Sequence, residues 1–380
     1  MSAPQAIEKS PVPGEWFEDE FIDSINPADL VYFLLNVGDG DAQLVLLPER
    51  DGHRDVIVVD IASYSKICSL LSALQGADLI PAGDDLLITL VVATHPHKDH
   101  IGGMSKLLRN YHVEELWEPG YFLPTRAFLE MSSAAEDGRV TVVLPTSGLQ
   151  RRFGPLVQLT VLAPSVAFRS RFDTYGVTIN DSSLTLMIEY PSVKVAQGYR
   201  ERTELKGTRG QRILLGADAQ TASWAQVEID FPALHSGNSW LAGQIRHRRG
   251  ADHLKADVFK IPHHASKRGI NLELVERVAP KLSLVSCAAD SPSYHFPHDL
   301  AQEILREARQ PTAGQGTTRR TDHQLGIYYT SDVYIDDDES QKPLGSIAIV
   351  LGEDRRDRQL WRLCDSPTAP INFSGAARLF

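Results

Sequence analysis

The sequence predicts a layered α/β domain built from mixed β-sheets. Short apolar runs typical of strands alternate with segments whose apolar residues recur at helical spacing, which favours helices between strands. In some places a turn joins two strand-like runs directly, which indicates antiparallel neighbours as well as parallel ones. Acidic residues and histidines recur where strands end, and such loops are where a rigid sheet presents reactive groups.

The elements of the first half follow from these patterns. The stretch LVYFLLNVGDGDAQLVLLP predicts a strand, a tight glycine turn and a second strand, and the run DVIVVDIA predicts a short strand that ends at an acid. Apolar spacing then predicts two helices, each followed by a strand. These elements are a helix over 64–75, a strand over 86–97, a helix over 101–112 and a strand over 113–119.

The second half repeats the alternation. Strand-like runs and turns fill residues 140–190, and residues 234–250 are polar enough to predict an inserted loop. The remaining predictions are strands over 212–219, 256–266, 281–288, 325–331, 345–352 and 359–363, and helices over 224–231, 272–280 and 299–309. We therefore expect a loose lead-in over 1–28, one domain over 29–363 and a loose tail over 364–380.

Composition narrows the class of protein. With 38 basic and 49 acidic residues the net charge is −11, which argues against a surface coated with basic charge for nucleic acid, although Lys194–Arg212 and Arg246–Arg249 are local basic runs. No apolar run is long enough to span a bilayer, and the first residues predict no secretory signal. The three cysteines are widely spaced and indicate neither disulfides nor a CxxC metal site, so we expect a cytoplasmic protein.

The stretch THPHKDHIGG, residues 94–103, carries the clearest chemical signal. Imidazoles and carboxylates are the ligands that borderline divalent metals favour. His95 and His97 are one residue apart after a predicted strand, so both side chains point to one side and can hold one ion. Asp99 and His100 follow the turn and face a second ion. The spacing predicts a metal-binding loop.

This loop resembles the signature of the metallo-β-lactamase superfamily. The resemblance implies an αββα four-layer sandwich with two mixed β-sheets and a hydrolytic centre of one or two metal ions. It also implies roles for residues elsewhere: Asp60 supports the metal loop, Asp218 in LLGADAQ bridges two ions, and His263 in KIPHHAS is the last histidine ligand.

Further motifs resemble one branch, the hydrolase domain of ComEC-type competence proteins. They are NVGDGDAQLVL, NDSSLTL, PHHAS and RTDHQLGIYYTSD, and the matched segments run from about residue 31 to 332. This chain departs from the branch at Asn36, at His264–Ala265 and at Phe296. Because no membrane channel is present, the chain resembles a free-standing relative, a kind expected in bacterial anti-phage or DNA-processing operons.

One ligand position stays open. Most two-metal members place a third histidine for the first ion between the loop and the bridging aspartate, and His112, the one histidine there, reads as a surface or helix-end residue. Asp181 or the amide of Asn180 can complete the site, or the Asn-Asp-Ser turn with Ser182 only starts a strand. An oxygen ligand favours manganese or magnesium over zinc.

The resemblance thus assigns three groups of residues. The metal ligands are His95, His97, Asp99, His100, Asp181, Asp218 and His263. The catalytic groups are Asp99, Asp218, His295 and His298. The residues that support the ligands or contact substrate are Asp60, Lys98, Asn180, Ser182 and His264. The cofactors are two divalent ions, Zn or Mn with Mg as a further option, with one or both positions filled.

Three functions remain open at this point. The first is a phosphodiesterase or nuclease that cleaves DNA or RNA with a metal-activated water, which the ComEC-type resemblance favours. The second is a hydrolase of a small ester, lactone, thioester or cyclic nucleotide, which the acidic charge favours. The third is a non-catalytic binding or regulatory module on the same fold. A protein partner or a second copy of the chain is left open.

Overall fold

The computed structural model describes residues 20–169, 178–192, 210–233, 252–289, 295–310, 320–335, 338–354 and 356–380. The inserted loop over 234–250 and most of both basic runs lie outside these residues. The chain divides into two compact units. The first comprises Met1–Leu144, Val285–Pro297 and Tyr328–Phe380, and the second comprises Pro145–Leu284 and His298–Ile327.

A nine-stranded sheet forms the framework of the first unit, in the order β18-β17-β16-β1-β2-β3-β4-β5-β6. Its strands are β1 Leu30–Leu34, β2 Ala42–Leu46, β3 Val56–Ile61, β4 Leu87–Val92, β5 His112–Trp117, β6 Thr141–Val143, β16 Ile347–Leu351, β17 Arg358–Arg362 and β18 Ala377–Arg378. Strands β3 to β6 pair in parallel and the others pair antiparallel. The glycine turn between β1 and β2 produces the predicted antiparallel pair.

Helices connect the parallel strands, as a parallel crossover requires. They are α2 Tyr64–Gly76, α3 Lys98–Ile101, α4 Met104–Asn110 and α5 Arg126–Asp137, and α1 Glu20–Asp23 precedes the sheet. Helix α5 was not predicted because it buries only Met131, Ala134 and Ala135, which make a weak apolar stripe. The prediction of one helix over 101–112 was wrong in its bounds. The helix is interrupted at Gly102–Gly103, and His112 is the exposed first residue of β5.

A seven-stranded sheet forms the framework of the second unit, in the order β13-β12-β11-β10-β9-β8-β7. Its strands are β7 Gln150–Phe153, β8 Val157–Ala163, β9 Thr185–Tyr190, β10 Gln211–Leu215, β11 Val258–Lys260, β12 Leu282–Val285 and β13 Ile327–Tyr329. Strands β10, β11 and β12 are parallel, while β7 to β10 are antiparallel. Two large mixed sheets confirm the predicted fold class.

The smaller elements complete both units. The helices are α6 Val166–Arg169, α7 Thr221–Asp230, α8 Leu272–Val278 and α9 Asp299–Arg309, and the strands β14 Val333–Ile335 and β15 Gln341–Pro343 form a separate pair. Helices α7 and α8 connect the parallel strands β10, β11 and β12, again as crossovers. Among the described residues, no helix combines the length and apolar character that a bilayer crossing demands.

The described residues near both ends of the chain pack against the first sheet. Phe21 of α1 is only 1% exposed, and its ring lies 5.3 Å from that of Trp361 and 5.1 Å from that of Phe373. After Cys364 the chain adds β18 to the edge of the sheet. Single buried aromatic residues in polar surroundings give no periodic signal, so the sequence pattern did not show that these segments are packed.

A buried ion pair also holds the C-terminal segment to α2. The Lys66 ammonium contacts the Asp365 carboxylate, and both side chains are 2% exposed. Lys66 Nζ also donates to the carbonyls of Ser366 and Ala369, each at 2.7 Å. The Asp365 carboxylate in turn accepts from the backbone N–H and hydroxyl of Ser346. Taking a charged group out of water costs free energy, so buried charges are found paired and hydrogen-bonded in this way.

We expect Lys66→Met to lower the free energy of unfolding by about 3–5 kcal/mol, because it leaves the Asp365 carboxylate buried without its cation. Urea unfolding followed by far-ultraviolet circular dichroism measures the change. Lys106→Ala, which removes an exposed lysine of the same unit, is the matched control. Equal midpoints for both variants would show that the pair does not stabilise the fold.

Candidate metal centre

The histidine-rich turn begins where β4 ends, and β5 fixes its start. The N–H of Ala93 donates to the carbonyl of Trp117 at 2.8 Å, and α3 begins at Lys98. His95 and His100 are fully buried. The ring centroid of His95 lies 4.8 Å from that of His97 and 4.1 Å from that of His100. The turn therefore gathers three imidazoles from six residues of sequence.

The spacing of these nitrogens suits a metal ion. His95 Nε2 lies 3.1 Å from His97 Nδ1. Two ligand nitrogens about 2.05 Å from a tetrahedral ion are separated by roughly 3.3 Å, so this pair needs little adjustment to hold one. Nitrogen donors with nearby carboxylates are also the chemical set that such ions favour. The residues present therefore fit the divalent metals that the sequence predicts.

Asp60, the fifth residue of β3, orients this turn. Its Oδ1 accepts from the N–H of Thr94 at 2.8 Å, and its Oδ2 accepts from the hydroxyl of Thr94 at 2.7 Å and from His100 Nδ1 at 2.8 Å. Burial raises the pKa of the Asp60 carboxyl, and the contacts with His100 and Thr94 oppose that rise. Because a carboxylate accepts the Nδ1 proton, the lone pair of His100 lies on Nε2.

Two glycines allow the backbone to close around the turn. A Cβ at Gly40, where φ is +119°, would lie 2.4 Å from the carbonyl oxygen of Asp99. A Cβ at Gly103 would lie 2.5 Å from the backbone nitrogen of Tyr64. The N–H of Asp41 donates to the Asp99 carbonyl at 3.0 Å, which joins the β1–β2 turn to the metal loop. Close approach explains why both motifs carry glycine at these positions.

A second cluster lies in the second unit, where β10 and β11 end. Parallel strands present their carboxyl ends at one edge of a sheet. Asp218, 2% exposed, follows β10, and His263 and His264 follow β11 with φ of 50° and 53°. Asp218 Oδ2 lies 3.8 Å from His263 Nε2, and Asp218 Oδ1 lies 3.7 Å from His264 Nε2. Each oxygen of the Asp218 carboxylate thus faces one of the two histidines.

Side-chain amides contact both nitrogens of His263. The Gln220 carboxamide lies 3.1 Å from Nδ1, and the Asn180 carboxamide lies 3.2 Å from Nε2. The backbone N–H of His263 donates to the carbonyl of Ala217 at 2.8 Å, which ties the residue to the Asp218 turn. The ring is therefore held from both sides and from its own backbone.

The contacts of Asp181 differ from those of Asn180, which bears on the open ligand position. Asp181 Oδ2 accepts from the hydroxyl of Thr178 at 2.9 Å, and Oδ1 accepts from the N–H of Ser223 in the first turn of α7 at 3.2 Å. Asp181 therefore caps α7, whereas Asn180 faces His263. Ser182 donates its hydroxyl to the carbonyl of Ile179 and stays within the turn.

We expect Asp181→Ala to lower the free energy of unfolding by about 1 kcal/mol, the usual cost of a lost helix cap, and to leave the metal content of the protein unchanged. Chemical denaturation and elemental analysis of the same preparation measure both quantities. Loss of metal without loss of stability would contradict this assignment and restore Asp181 as a ligand.

The remaining candidates are His295, His298 and Lys98. His298 precedes α9, and its Nδ1 accepts from the N–H of Leu300 at 3.1 Å. The N–H of His298 donates to the Ala265 carbonyl at 3.0 Å, so it lies beside the His263–His264 turn. His295 is exposed with φ of 52°, and Lys98 is exposed at the start of α3.

Two site residues were missed. Gln220 lies two positions after Asp218 in a motif that the sequence analysis used, but glutamine carries no metal signal of its own. Asp41 is fully buried and offers an oxygen within 4.8 Å of potential ligand atoms of Asp60 and His100. It is the second acid of NVGDGDA, and burial rather than sequence distinguishes it from Asp39.

Comparison with known proteins finds a family match in part of the chain. The family model described as the metallo-beta-lactamase superfamily matches residues 82–196, which include the histidine-rich turn. This match supports the resemblance to that superfamily. The chain is also similar to a ComEC-type protein: it is 24% identical over 281 residues to ComE operon protein 3 of Bacillus subtilis (strain 168). That match covers 72% of this chain and 30% of the relative, so the chain spans less than a third of the relative's length.

Three solved structures are similar over most of this chain at low sequence identity. A diphosphatase of the PhnP family is 11% identical with a TM-score of 0.36, over 80% of this chain and 95% of that one. A metallo hydrolase from Ignicoccus hospitalis is 12% identical with a TM-score of 0.37, over 78% and 94%. Zn²⁺-bound PqqB from Methylobacterium extorquens is 10% identical with a TM-score of 0.36, over 80% and 98%.

Proposed function

We propose that this protein is a metal-dependent phosphodiesterase that cleaves DNA or RNA. The observation that carries the proposal is the pair of imidazole nitrogens of His95 and His97, 3.1 Å apart in a buried, carboxylate-supported turn. The motifs shared with ComEC-type competence proteins, which are associated with DNA degradation during uptake, favour a phosphodiester as the substrate.

Two sets of residues are the proposed metal ligands. The first set is His95, His97, Asp99 and His100, and the second is Asp218 with His263. Asn180 of the Asn-Asp-Ser turn lies beside this second set, with its carboxamide 3.2 Å from His263 Nε2, and would supply the open ligand once its oxygen turns toward an ion. An amide oxygen is a harder ligand than imidazole, so we expect manganese or magnesium to compete with zinc.

Divalent ions at such a centre lower the pKa of a bound water towards ~7 and polarise the scissile bond. The chain's own residues prepare that chemistry. Asp60 keeps the proton of His100 on Nδ1, so the lone pair on Nε2 stays available to bind a metal ion. Exposed Lys98 can contact a phosphate beside the turn.

His298 is the proposed contact to the leaving group. Its Nδ1 accepts a hydrogen bond from the N–H of Leu300, so the neutral ring carries its proton on Nε2. That N–H can donate a hydrogen bond to a phosphate oxygen or to the leaving oxygen and stabilise its developing charge. His295, three residues earlier, is the alternative donor that the sequence suggests.

The test is a matrix of substrates and metals. Purified protein is incubated with single- and double-stranded DNA, RNA, cyclic nucleotides and bis-p-nitrophenyl phosphate, each with Mn²⁺, Mg²⁺ or Zn²⁺. We expect nucleic acid to be cleaved and the rate to fall steeply with salt, because contacts to several phosphates release counterions. Metal-loaded protein that cleaves none of these substrates would refute the proposal.

The net charge of −11 favours a second candidate, a hydrolase of small esters or cyclic nucleotides. A small substrate makes few phosphate contacts, so its turnover changes little with salt. Turnover of cyclic nucleotides or esters with a flat salt profile, and none of nucleic acid, would select this candidate. Absence of turnover with any substrate would select the non-catalytic module.

A further inference from the structure

The surroundings of His263 limit how its proton can be placed. In the structure both amide nitrogens face the ring. Asn180 Nδ2 lies 3.2 Å from His263 Nε2, and Gln220 Nε2 lies 3.1 Å from His263 Nδ1. A neutral imidazole has one lone pair and one N–H, so it can accept from only one of these amides. The other amide must present its oxygen instead, which a half-turn of the carboxamide provides at no cost in shape.

The geometry decides which amide presents oxygen. Nε2 is the nitrogen directed at Asp218, whose Oδ2 lies 3.8 Å away. Nε2 must therefore keep its lone pair if His263 is to bind a metal beside Asp218, and the ring proton must then be on Nδ1. Gln220 faces Nδ1, so its carboxamide oxygen is the group that can accept this proton.

The position of Gln220 favours the same role. Gln220 is the residue directly before α7, a position where side chains usually cap the helix, yet its side chain makes no capping hydrogen bond. Its carbonyl accepts from the N–H of Trp224 at 3.0 Å, which fixes its backbone, and the residue is only 8% exposed. A rigid, mostly buried carboxamide is thus directed at His263 rather than at its own helix.

We propose that Gln220 is a positioning residue for the metal centre: its Oε1 accepts the Nδ1 proton of His263 and keeps Nε2 available as a ligand. The inference rests on the proposed function only in requiring a divalent metal, and it requires no particular substrate. Hydrogen-bond partners of ligating histidines raise ligand basicity and fix the ring, and their loss weakens metal binding about 10–100-fold.

Metal affinity tests the proposal without any assay of turnover. Affinities of the metal-free protein for Zn²⁺ alone and for Mn²⁺ alone are measured by competition with a chromophoric chelator. We expect Gln220→Met, which keeps the length of the side chain and removes both hydrogen-bonding groups, to bind about 10–100-fold more weakly. We expect Gln220→Glu, which keeps the accepting oxygen, to bind as tightly as the wild type or more tightly.

Gln226→Met is the matched control, because Gln226 lies in α7, the helix that Gln220 precedes, and the bond described for its side chain goes to Asp230. Circular dichroism and thermal unfolding confirm that each variant folds. If Gln220→Met binds like the wild type, or if Gln220→Glu is as weak as Gln220→Met, Gln220 does not accept the Nδ1 proton and the inference is wrong. A wild type that binds neither ion overturns the inference and the proposed function together, whereas tight binding without turnover overturns only the function.

Discussion

Replacing Asp99 and His100 together by alanine is expected to lower the rate of metal-dependent hydrolysis at least about a hundredfold. A metal ion stabilises the transition state by several kcal/mol, and the loss of about 3 kcal/mol slows a reaction by about a hundredfold. The ring of His100 is fully buried and is oriented by Asp60, so we expect no other side chain of the turn to take its place as a ligand. Initial rates with the best substrate and metal of the assay matrix, together with elemental analysis, measure the effect.

His112→Ala is the control for this variant. His112 belongs to the same unit, follows α4 and is exposed at the start of β5, so its removal should change neither rate nor metal content. A double variant that cleaves as fast as the wild type would mean that a contaminant or another site is responsible.

Asp60→Asn tests the orientation of the metal loop with almost no change in shape. In the wild type, His100 Nδ1 and the hydroxyl of Thr94 both donate to Asp60 Oδ2. In the variant an amide nitrogen takes the place of Oδ2 and presents N–H groups to these two donors. His100 would then favour a proton on Nε2, where the lone pair is needed. We expect metal affinity to fall about 10–100-fold, measured by chelator competition.

Asp55→Asn is the matched control, since Asp55 directly precedes β3 and makes only a long, partly exposed ion pair with Arg50, 3.9 Å between charged atoms. Its metal affinity should equal that of the wild type. If Asp60→Asn also binds metal like the wild type, the carboxylate does not set the proton of His100.

The sequence was most informative where one motif carries a local requirement. THPHKDHIGG is a single turn, so the meeting of His95 with His97 follows from neighbours in sequence. The buried strands β1 to β4 and helix α2 are equally local, because their apolar spacing decides both type and position. These features were predicted correctly.

The features that the sequence did not reveal depend on contacts between distant segments. The sequence does not reveal that the carboxylate of Asp181, a predicted ligand, accepts from the N–H of Ser223 in α7, more than forty residues away in sequence. Gln220 looks like an ordinary polar residue until it is seen beside His263. Phe21 and Asp365 are isolated in polar stretches, and only their partners explain their burial.

Metal content tests most directly the claim that both sets of ligands bind divalent ions. Native mass spectrometry counts the ions held by the wild type, by His95→Ala/His97→Ala and by Asp218→Ala after reloading with Zn²⁺ or Mn²⁺. We predict up to two ions in the wild type and the loss of at least one ion in each variant. A wild type that holds none, or variants that hold as many ions as the wild type, would contradict the claim.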